Sequence, residues 1–281
     1  MKIVSTIAEV RSALDDAARP IGLVPTMGYL HEGHLSLVAR ARVDCRTVAL
    51  SIFVNPTQFG PEEDLTRYPR DVPRDLQLCE EAGVDLVFTP EPAEIYPPDF
   101  SSHVEVHGLQ DRWEGASRPG HFRGVATVVA KLFRIVQPQF AYFGEKDYQQ
   151  LQIVRRMSTD LCLDVDVVAC PIIREADGLA LSSRNVYLTI ADRARAATLS
   201  AALQEAQRVL ASGETDAGKL GAVIAKVVSN AGGVELDYAA IVDPRTLEPI
   251  ERVANEARAL IAARVGGVRL IDNAALIPER A

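Results

Sequence analysis

The stretch VPTMGYLHEGHLSLVARAR, residues 24–42, places two histidines three positions apart where an apolar strand gives way to a helix. Residues three apart share one helix face, so the rings of His31 and His34 can point the same way. A helix N-terminus offers backbone N–H groups and partial positive charge, which favour an anion. Gly33 lets a ligand approach the backbone, and Gly28 eases the preceding turn. The pattern therefore predicts a phosphate site.

Two other interpretations of the histidine pair stay open, a structural role and a zinc site. The zinc-peptidase motif is H-E-x-x-H, in which the histidines are four apart, and no third ligand lies near His31 and His34 in the sequence. The chain contains neither GxxxxGK[ST] nor GxGxxG, which excludes the P-loop class and argues against dinucleotide enzymes. It also lacks GxSxG, so a hydrolase triad has no support.

A lysine follows the apolar run FAYFG, residues 140–144, in the stretch FGEKDYQQ. Lys146, at the carboxyl end of a predicted strand, is well placed to neutralise a phosphate. Gln150, one turn later, would face the same cleft. The alternative interpretation is a solvated helix start in which Asp147 is the cap.

The stretch LSSRN, residues 181–185, groups two hydroxyls with a guanidinium. Ser182, Ser183 and Arg184 are a donor set suited to phosphate oxygens. The alternative is an exposed turn with a cap. Residue types alone leave both interpretations open.

Alternating strands and helices over the first 173 residues must position these side chains. Short β-branched runs at 21–26, 46–54 and 84–90 predict buried strands separated by helices. A helix over 123–137, the strand FAYFG, a helix over 147–161 and a strand over 164–173 continue the alternation. This order predicts a doubly wound, Rossmann-like parallel sheet with right-handed crossovers, an α/β fold. Ligands bind beyond the carboxyl ends of such strands, where His31, His34, Asn55, Gln58 and Lys146 fall.

Composition changes after residue 173, and residues 174–281 predict a smaller C-terminal α+β domain. An Ala-rich segment, 189–213, predicts a helix that ends at Gly213. A second helix and antiparallel strands within VELDYAAIVDP and ARALIAARVGGVRLIDN follow. Residues 174–185 would be the hinge between a first domain, 1–173, and this one.

Composition limits the class of protein. The 281 residues carry a net charge of −8 and no evident basic stripe, so we expect no nucleic-acid partner. No run reaches ~18 consecutive apolar residues, so we expect no membrane span. The start, MKIVSTIAEVRSALDD, turns acidic too early for a signal peptide, which predicts a cytoplasmic protein. The cysteines show no C-x-x-C pairing and are expected to be reduced: Cys45, Cys79, Cys162 and Cys170.

Five motifs together resemble one family. They are VPTMGYLHEGH, SIFVNPTQFGPEEDLTRYPR, EGASRPGHFRGVATVVAKLF, FGEKDYQQ and DGLALSSRNVYLT. In this order, from about residue 3 to RLIDN at 269–273, they closely resemble the pantothenate synthetases, or pantoate–β-alanine ligases. HEGH is similar to the H-x-G-H signature of the nucleotidyltransferase superfamily. LSSR is similar to the mobile K-M-S-K-S loop of class I aminoacyl-tRNA synthetases.

The resemblance implies an ATP-dependent ligation in two steps. The pantoate carboxylate attacks the α-phosphorus of ATP, which gives a pantoyl adenylate and pyrophosphate. The amine of β-alanine then attacks the activated carbonyl, which gives pantothenate and AMP. The family also implies Mg²⁺ with the ATP, without identifying protein ligands for it, and a homodimer. Because LSSR lies at the predicted hinge, we expect the C-terminal domain to act as a lid that excludes water from the adenylate.

The resemblance also assigns residues to ligands. The phosphates and the catalytic step are expected to involve His31, His34, Lys146, Ser182, Ser183 and Arg184, with His34 as a proton donor. The ATP site is expected to comprise these residues and Met27, Gly28, Tyr29, Leu30, Glu32, Gly33, Gly144, Glu145, Asp147, Ile173 and Leu181. The pantoate site is expected to comprise Pro25, Met27, Asn55, Gln58, Tyr68 and Gln150. Three residues of the SRPGHFRG stretch could contact ligand or only order the site: Arg118, His121 and Arg123.

Three other functions are alternatives to the ligase. Another H-x-G-H nucleotidyltransferase, such as a cytidylyltransferase, would share the HEGH motif but require CTP. A tRNA synthetase would carry an RNA-binding domain and a basic surface, which this acidic chain does not show. A non-enzymatic α/β ligand-binding module would leave the HEGH and SSR groups without a task.

Overall fold

The computed structural model describes residues 1–60 and 65–278. The chain divides into two compact units, Met1–Pro171 and Ile172–Ala281, which we call the first and second units. The motif SIFVNPTQFGPEEDLTRYPR includes residues 61–64, which lie outside the described residues. Within the two described ranges, no helix is both long and apolar enough to cross a membrane.

The described part of the first unit contains a sheet of six parallel strands in the order β1-β4-β3-β2-β5-β6. The strands are β1 (Lys2–Val4), β2 (Ile21–Thr26), β3 (Thr47–Ile52), β4 (Leu86–Phe88), β5 (Phe140–Gly144) and β6 (Asp166–Cys170). The chain runs outward from β2 through β3 and β4, and later outward in the other direction through β5 and β6. The order therefore reverses between β2 and β5. This confirms the predicted α/β fold with a doubly wound parallel sheet.

Helices cover the sheet of the first unit. They are α1 (Ile7–Asp15), α2 (Glu32–Asp44), α3 (Val72–Glu81), α4 (Pro92–Ile95), α5 (Glu114–Ser117), α6 (His121–Val136) and α7 (Tyr148–Asp160). Helices α2 and α3 pack in one apolar cluster with Val24, Leu50 and Val87, all of which are fully buried. Helices α6 and α7 contact β2 and β5 outside that cluster. The two helix layers leave the carboxyl ends of the strands for the connecting loops.

Sequence pattern predicts the central strands better than the peripheral ones. The bounds of β2 and β5 agree with the runs at 21–26 and 140–144, because turn residues follow both runs directly. Strands β3, β4 and β6 are shorter than their predicted runs, and the residues that flank them within those runs have irregular backbone. The pattern does not predict β1, because its three residues are exposed or half-buried and only pairing with β4 makes them a strand.

The described part of the second unit contains three helices and an antiparallel sheet of three strands. They are α8 (Ile190–Ala196), α9 (Thr198–Ala211), α10 (Ala217–Asn230), β7 (Val234–Val242), β8 (Ala257–Val265) and β9 (Val268–Leu276). The prediction of one helix over 189–213 is wrong, since the chain turns at Ala197 between α8 and α9. Gly213 ends α9 at a φ of 102°, as predicted. Gly266 and Gly267 take positive φ in the two-residue turn that joins β8 to β9.

Candidate active site

The side chains of the first unit that are predicted to bind ligand or take part in catalysis lie where the strand order reverses. Strand β2 ends at Thr26 and leads to the HEGH motif, and β5 ends at Gly144 and leads to Lys146. These two strands are neighbours and parallel, so their carboxyl ends open at the same edge. Ligands of open α/β sheets bind at such a reversal point. The fold itself therefore gathers the predicted groups there.

The loop between β2 and α2 is fixed by a buried carboxylate on α3. Gly28 turns the chain at a φ of 82°, and Asp75 accepts hydrogen bonds from the backbone N–H groups of Tyr29 and Leu30, both at 2.7 Å. Asp75 is 1% exposed, and its burial raises the pKa of the carboxyl, against the effect of the two backbone N–H groups. Arg74 donates to the carbonyl of Leu30 at 2.9 Å. These contacts hold the approach to the HEGH motif in one conformation.

The two histidines cap the N-terminus of α2 with their own rings. Nδ1 of His31 accepts from the N–H of Gly33 at 3.1 Å, and Nδ1 of His34 accepts from the N–H of His31 at 3.4 Å. The ring centroids are 4.1 Å apart. A backbone N–H can only donate, so in each neutral ring the proton lies on Nε2. Both rings are thereby prepared as Nε2–H hydrogen-bond donors.

His34 is held in its neutral form. Burial is the main cause that lowers the pKa of His34 from 6.5 to about 3, and electrostatic interactions with His31 and Lys146 lower it further. Lys146 is therefore an electrostatic neighbour of the histidine pair, as the topology predicts. Its ammonium lies 3.7 Å from a carboxylate oxygen of Asp147, and its side chain is 20% exposed. The site combines one ammonium group with two imidazole rings.

A second group of polar side chains follows β3. The buried amide of Asn55 donates to Oε1 of Gln58 and to the carbonyl of Gly124, both at 3.1 Å. The amide nitrogen of Gln58 lies 2.9 Å from the sulfur of Met27. Three residues predicted for pantoate, Met27, Asn55 and Gln58, thus form one connected chain of contacts. Gln58 is 9% exposed and Asn55 is 1% exposed.

Helix α6 supports the turn that carries Gln58. A Cβ added to Gly124 would lie 2.3 Å from the carbonyl oxygen of Thr57, so only glycine permits this approach. His121 donates from Nδ1 to the carbonyl of Gln58 at 2.8 Å, because a carbonyl can only accept. Arg118 lies 3.0 Å from Nε2 of His121 and 3.4 Å from the same carbonyl. Two residues of the SRPGHFRG stretch therefore order the site through the backbone of Gln58.

The remaining predicted residues of the first unit lie around this edge. Arg123 is directed to Glu105 at 3.8 Å, away from the contacts of Gln58. Tyr68 is buried and packs edge-on against Phe59 with ring centroids 5.9 Å apart. Pro25 is half-buried in β2, and Gln150 is half-buried in the first turn of α7.

The interpretation of Asp147 as a helix cap is wrong. It occupies the position before α7 but makes no side-chain hydrogen bond to the helix N–H groups. It is the last residue of the 3-10 turn Glu145–Asp147, which continues from β5, and its φ and ψ are −95° and 58°. The carboxylate is instead directed to Lys146.

Ser182, Ser183 and Arg184 belong to the second unit. The N–H of Leu181 donates to the carbonyl of Ile173 at 3.0 Å, which closes a short hairpin. Ser182 is the cap of the 3-10 turn Ser183–Tyr187 and accepts from the N–H of Arg184 at 3.3 Å. Ser183 is 8% exposed. Ser182 thus has the capping role that the sequence left open.

One carboxylate anchors the segment that carries the SSR residues. Glu175 accepts from the amide of Asn185 at 3.1 Å and forms an ion pair with Arg193, which also lies 3.0 Å from Asp177. Arg174 forms two hydrogen bonds with Asp272 of β9, at 2.6 and 2.9 Å. The segment is therefore tied to α8 and to the sheet of the second unit.

Zinc receives no support in the described residues. Within 1–60 and 65–278, no three His, Cys, Asp or Glu side chains come together as a metal site. The ring contacts of His31 and His34 involve backbone N–H groups at Nδ1. The donor set instead suits an anion.

Sequence reasoning missed three residues that support the site: Asp75, Tyr96 and Gly124. Asp75 carries a detectable signal, because it lies four positions before the buried Cys79 and so on the same face of α3. Gly124, inside an apolar helix pattern, also signals a close approach. Tyr96, whose hydroxyl donates to Asn55 at 2.9 Å, carries no signal that separates it from a core aromatic residue.

Comparison with known proteins agrees with this arrangement. The family model described as pantoate-beta-alanine ligase matches residues 2–275. A pantothenate synthetase of Roseiflexus sp. (strain RS-1) is 53% identical over 276 residues, which cover 98% of this chain and 99% of the relative. A pantothenate synthetase of Thermotoga petrophila is 52% identical over 279 residues, which cover 98% of this chain and all of the relative.

Solved structures show the same likeness. The crystal structure of pantothenate synthetase from Thermus thermophilus superposes with a TM-score of 0.96 at 52% identity and covers 99% of this chain and 100% of that one. A pantoate-beta-alanine ligase from Francisella tularensis, complexed with beta-gamma ATP and beta-alanine, has a TM-score of 0.80 at 34% identity and covers 100% of this chain and 99% of that one. The chain described here, with HEGH and Lys146 at the reversal point of its sheet, belongs to the pantoate–β-alanine ligase family.

Proposed function

We propose that this chain joins pantoate to β-alanine and converts ATP to AMP and pyrophosphate. The observation that carries the proposal is the pairing of two Nε2–H imidazoles with Lys146 at the reversal point of the sheet. The family supplies the reaction, and the Francisella relative carries a beta-gamma ATP and beta-alanine in its structure. A cytidylyltransferase shares H-x-G-H but belongs to a different family.

The first step brings two anions together. The pantoate carboxylate, with a pKa near ~4, is ionised at neutral pH and attacks without a base. One of its oxygens bonds to the α-phosphorus, the bond from that phosphorus to the bridging oxygen breaks, and pyrophosphate leaves with the electron pair. The protein must offset the charge that gathers during this transfer. The N-terminus of α2, Lys146 and the imidazole donors are suited to that task.

His34 acts in this proposal as a neutral hydrogen-bond donor. Its pKa of about 3 leaves no imidazolium to deliver a proton at neutral pH in the free protein. The Nε2–H group can still donate to a phosphate oxygen, and so can that of His31. The expectation of a proton-donor role therefore becomes one of hydrogen-bond donation, with positioning and electrostatics in place of proton transfer.

The second step forms the amide. The amine of β-alanine, as its free base, attacks the carbonyl carbon of the pantoyl adenylate. A C–N bond forms, the bond from that carbon to the phosphate oxygen breaks, and AMP leaves with the electron pair. The nitrogen loses a proton as it becomes the amide of pantothenate. The adenylate is prone to hydrolysis, so exclusion of water protects this step.

Pantoate is assigned to the residues around Gln58. The amides of Gln58 and Gln150 would bind its hydroxyl and carboxylate groups without adding repulsive charge. Pro25 and Met27 would line the wall near its methyl groups, and Asn55 and Tyr68 would complete the site. The half-buried or buried positions of these side chains support the assignment.

The nucleotide is assigned to the loop 27–34, to Gly144–Asp147, and to Ile173 and Leu181–Arg184. Asp147 would lie near the ribose. For Ser182, Ser183 and Arg184 the support is their resemblance to a mobile phosphate-binding loop. The position of this loop at the predicted hinge supports a lid role for the second unit. The resemblance to the family supports a homodimer and a cytoplasmic location. Mg²⁺ would enter with the ATP phosphates as part of the substrate, since it favours phosphate and water ligands.

The test is pyrophosphate release from ATP with pantoate as the sole second substrate. The wild-type protein should release pyrophosphate with ATP and none with CTP. His34→Ala and Lys146→Ala should each reduce the rate at least about 100-fold, the scale of losing one preorganised charge-stabilising group. His107→Ala, at an exposed histidine, is the matched control and should behave as wild type. Circular dichroism checks folding.

Two results would contradict this proposal. Wild-type rates in both the His34 and Lys146 variants would remove these residues from the site. A requirement for CTP, or no release with pantoate and ATP, would remove the ligase function itself.

A further inference from the structure

Tyr96 lies outside the recognised motifs, yet its hydroxyl donates to the amide of Asn55, which in turn donates to the amide of Gln58. We propose that Tyr96 is a positioning residue that fixes the direction of the Gln58 amide and so makes this end of the site specific for an acceptor oxygen of pantoate. The inference rests on the proposed function, because it takes pantoate as the molecule that meets Gln58. Six connected contacts within the first unit support it.

The orientation of Asn55 is set by groups that have only one role. Its Oδ1 accepts from the backbone N–H of Thr57 at 3.3 Å, and a backbone N–H can only donate. Its Nδ2 donates to the carbonyl of Gly124 at 3.1 Å, and a carbonyl can only accept. An amide turned by 180° would oppose donor to donor and acceptor to acceptor. The side chain therefore has one orientation.

Tyr96 reinforces that orientation from the far side. Its hydroxyl donates to Oδ1 of Asn55 at 2.9 Å, and the hydroxyl of Thr57 donates to the same oxygen at 2.9 Å. Burial raises the pKa of Tyr96, so the phenol keeps its proton and stays a donor at neutral pH. Three donors thus converge on one amide oxygen, and Tyr96 is the contributor from outside the 55–58 turn.

The orientation of Asn55 is passed on to Gln58. The second proton of Asn55 Nδ2 is donated to Oε1 of Gln58 at 3.1 Å. The carbonyl oxygen of the Gln58 amide is therefore already occupied as an acceptor. The NH₂ group points to the sulfur of Met27 at 2.9 Å. A thioether is a weak acceptor, so a carboxylate or hydroxyl oxygen of pantoate is a better partner for that NH₂ group. A substrate group that can only donate could not form a hydrogen bond with this NH₂ group.

The ring of Tyr96 is held independently of its hydroxyl. It packs against Phe100 and Phe53 with ring centroids 5.0 and 6.3 Å away, and the ammonium of Lys131 lies 5.3 Å from its centroid. Tyr96→Phe keeps these contacts and removes the donor to Asn55. The variant therefore tests the hydroxyl separately from the ring, and it also removes the 3.2 Å contact of that hydroxyl with Oγ1 of Thr57. Thr57→Val, at an exposed residue, removes another donor to the same oxygen and gives a second variant.

The experiment compares KM values for pantoate and ATP in pyrophosphate release. Tyr96→Phe is expected to raise the KM for pantoate about three- to tenfold, the effect of one hydrogen bond near 1 kcal/mol. The KM for ATP should stay within about twofold. Thr57→Val should change the pantoate KM in the same direction. Tyr142→Phe removes the hydroxyl of a fully buried tyrosine, which donates to Asp44 at 3.0 Å, and should leave both KM values unchanged.

The outcomes separate the inference from the proposed function. Wild-type protein that releases no pyrophosphate with pantoate and ATP contradicts the proposed function. Active wild type with an unchanged pantoate KM in Tyr96→Phe overturns the inference alone. A parallel rise of both KM values, or the same change in Tyr142→Phe, also overturns it, because general loosening of the fold would then explain the result. Thermal unfolding of all variants measures the loss of stability that each substitution causes, so that KM values are compared between variants of similar stability.

Discussion

Acid is expected to destabilise the first unit through His34. The pKa of this ring is about 3 in the folded protein, against 6.5 ordinarily, mainly because of burial. Below pH 6.5 the His34 ring binds a proton in the unfolded chain but not in the folded chain. The free energy of unfolding is therefore highest above pH 6.5 and falls as the pH is lowered. Each pH unit in this window removes about 1.4 kcal/mol. Between pH 6.5 and 5, His34 should therefore remove at most about 2 kcal/mol.

Urea unfolding of His34→Asn measures this loss. The Asn oxygen replaces Nδ1 as acceptor for the N–H of His31 and does not titrate. Between pH 7.5 and 5, the free energy of unfolding should fall by up to about 2 kcal/mol more in the wild type than in the variant. His107→Asn, at a side chain 82% exposed, is the matched control and should follow the wild type.

NMR titration observes the ring directly. The His34 ring should stay neutral from pH 8 to 5, with its proton on Nε2. A His34 resonance that titrates near pH 6.5, or a variant whose stability depends on pH as the wild type's does, would refute the reasoning. The first result would show that burial does not suppress the imidazolium, and the second that another group causes the pH dependence.

Two substitutions test the residues that support the site. Asp75→Asn leaves one of two buried N–H groups without its acceptor and should cost about 2 kcal/mol in urea unfolding and weaken ATP binding by calorimetry, whereas the exposed Asp99→Asn should change neither. Gly124→Ala places a Cβ 2.3 Å from the carbonyl of Thr57 and should lower the midpoint of thermal unfolding and raise the pantoate KM; Gly221→Ala, whose Cβ would lie 3.8 Å from its nearest neighbour, should not.

The sequence contains most of the fold because the central strands have local signatures. IGLVPT and FAYFG are apolar runs with turn residues directly behind them, and their bounds are those of β2 and β5. Since parallel strands open at a common edge, strand assignment alone places HEGH and Lys146 at the same edge of the sheet. The break at Ala197 has no local signature, because neither glycine nor proline marks it.

Supporting contacts are harder to predict because they join residues far apart in sequence. Asp75 accepts from Leu30, 45 positions away, and Tyr96 donates to Asn55, 41 positions away. Periodicity identifies a buried face but does not show which partner a buried polar atom has. A single sequence therefore reveals the groups that meet a ligand at strand ends before it reveals those that hold them in place.

The histidine pair shows why a structural and a functional interpretation of one motif need not compete. Nδ1 of each ring is engaged by a backbone N–H at the start of α2, which is a structural role. The same contact assigns the remaining proton of the neutral ring to Nε2, and the lowered pKa of His34 keeps that assignment through neutral pH. A protonated ring would lose its cap, because both nitrogens would then donate. Capping thus sets the tautomer that a phosphate oxygen requires.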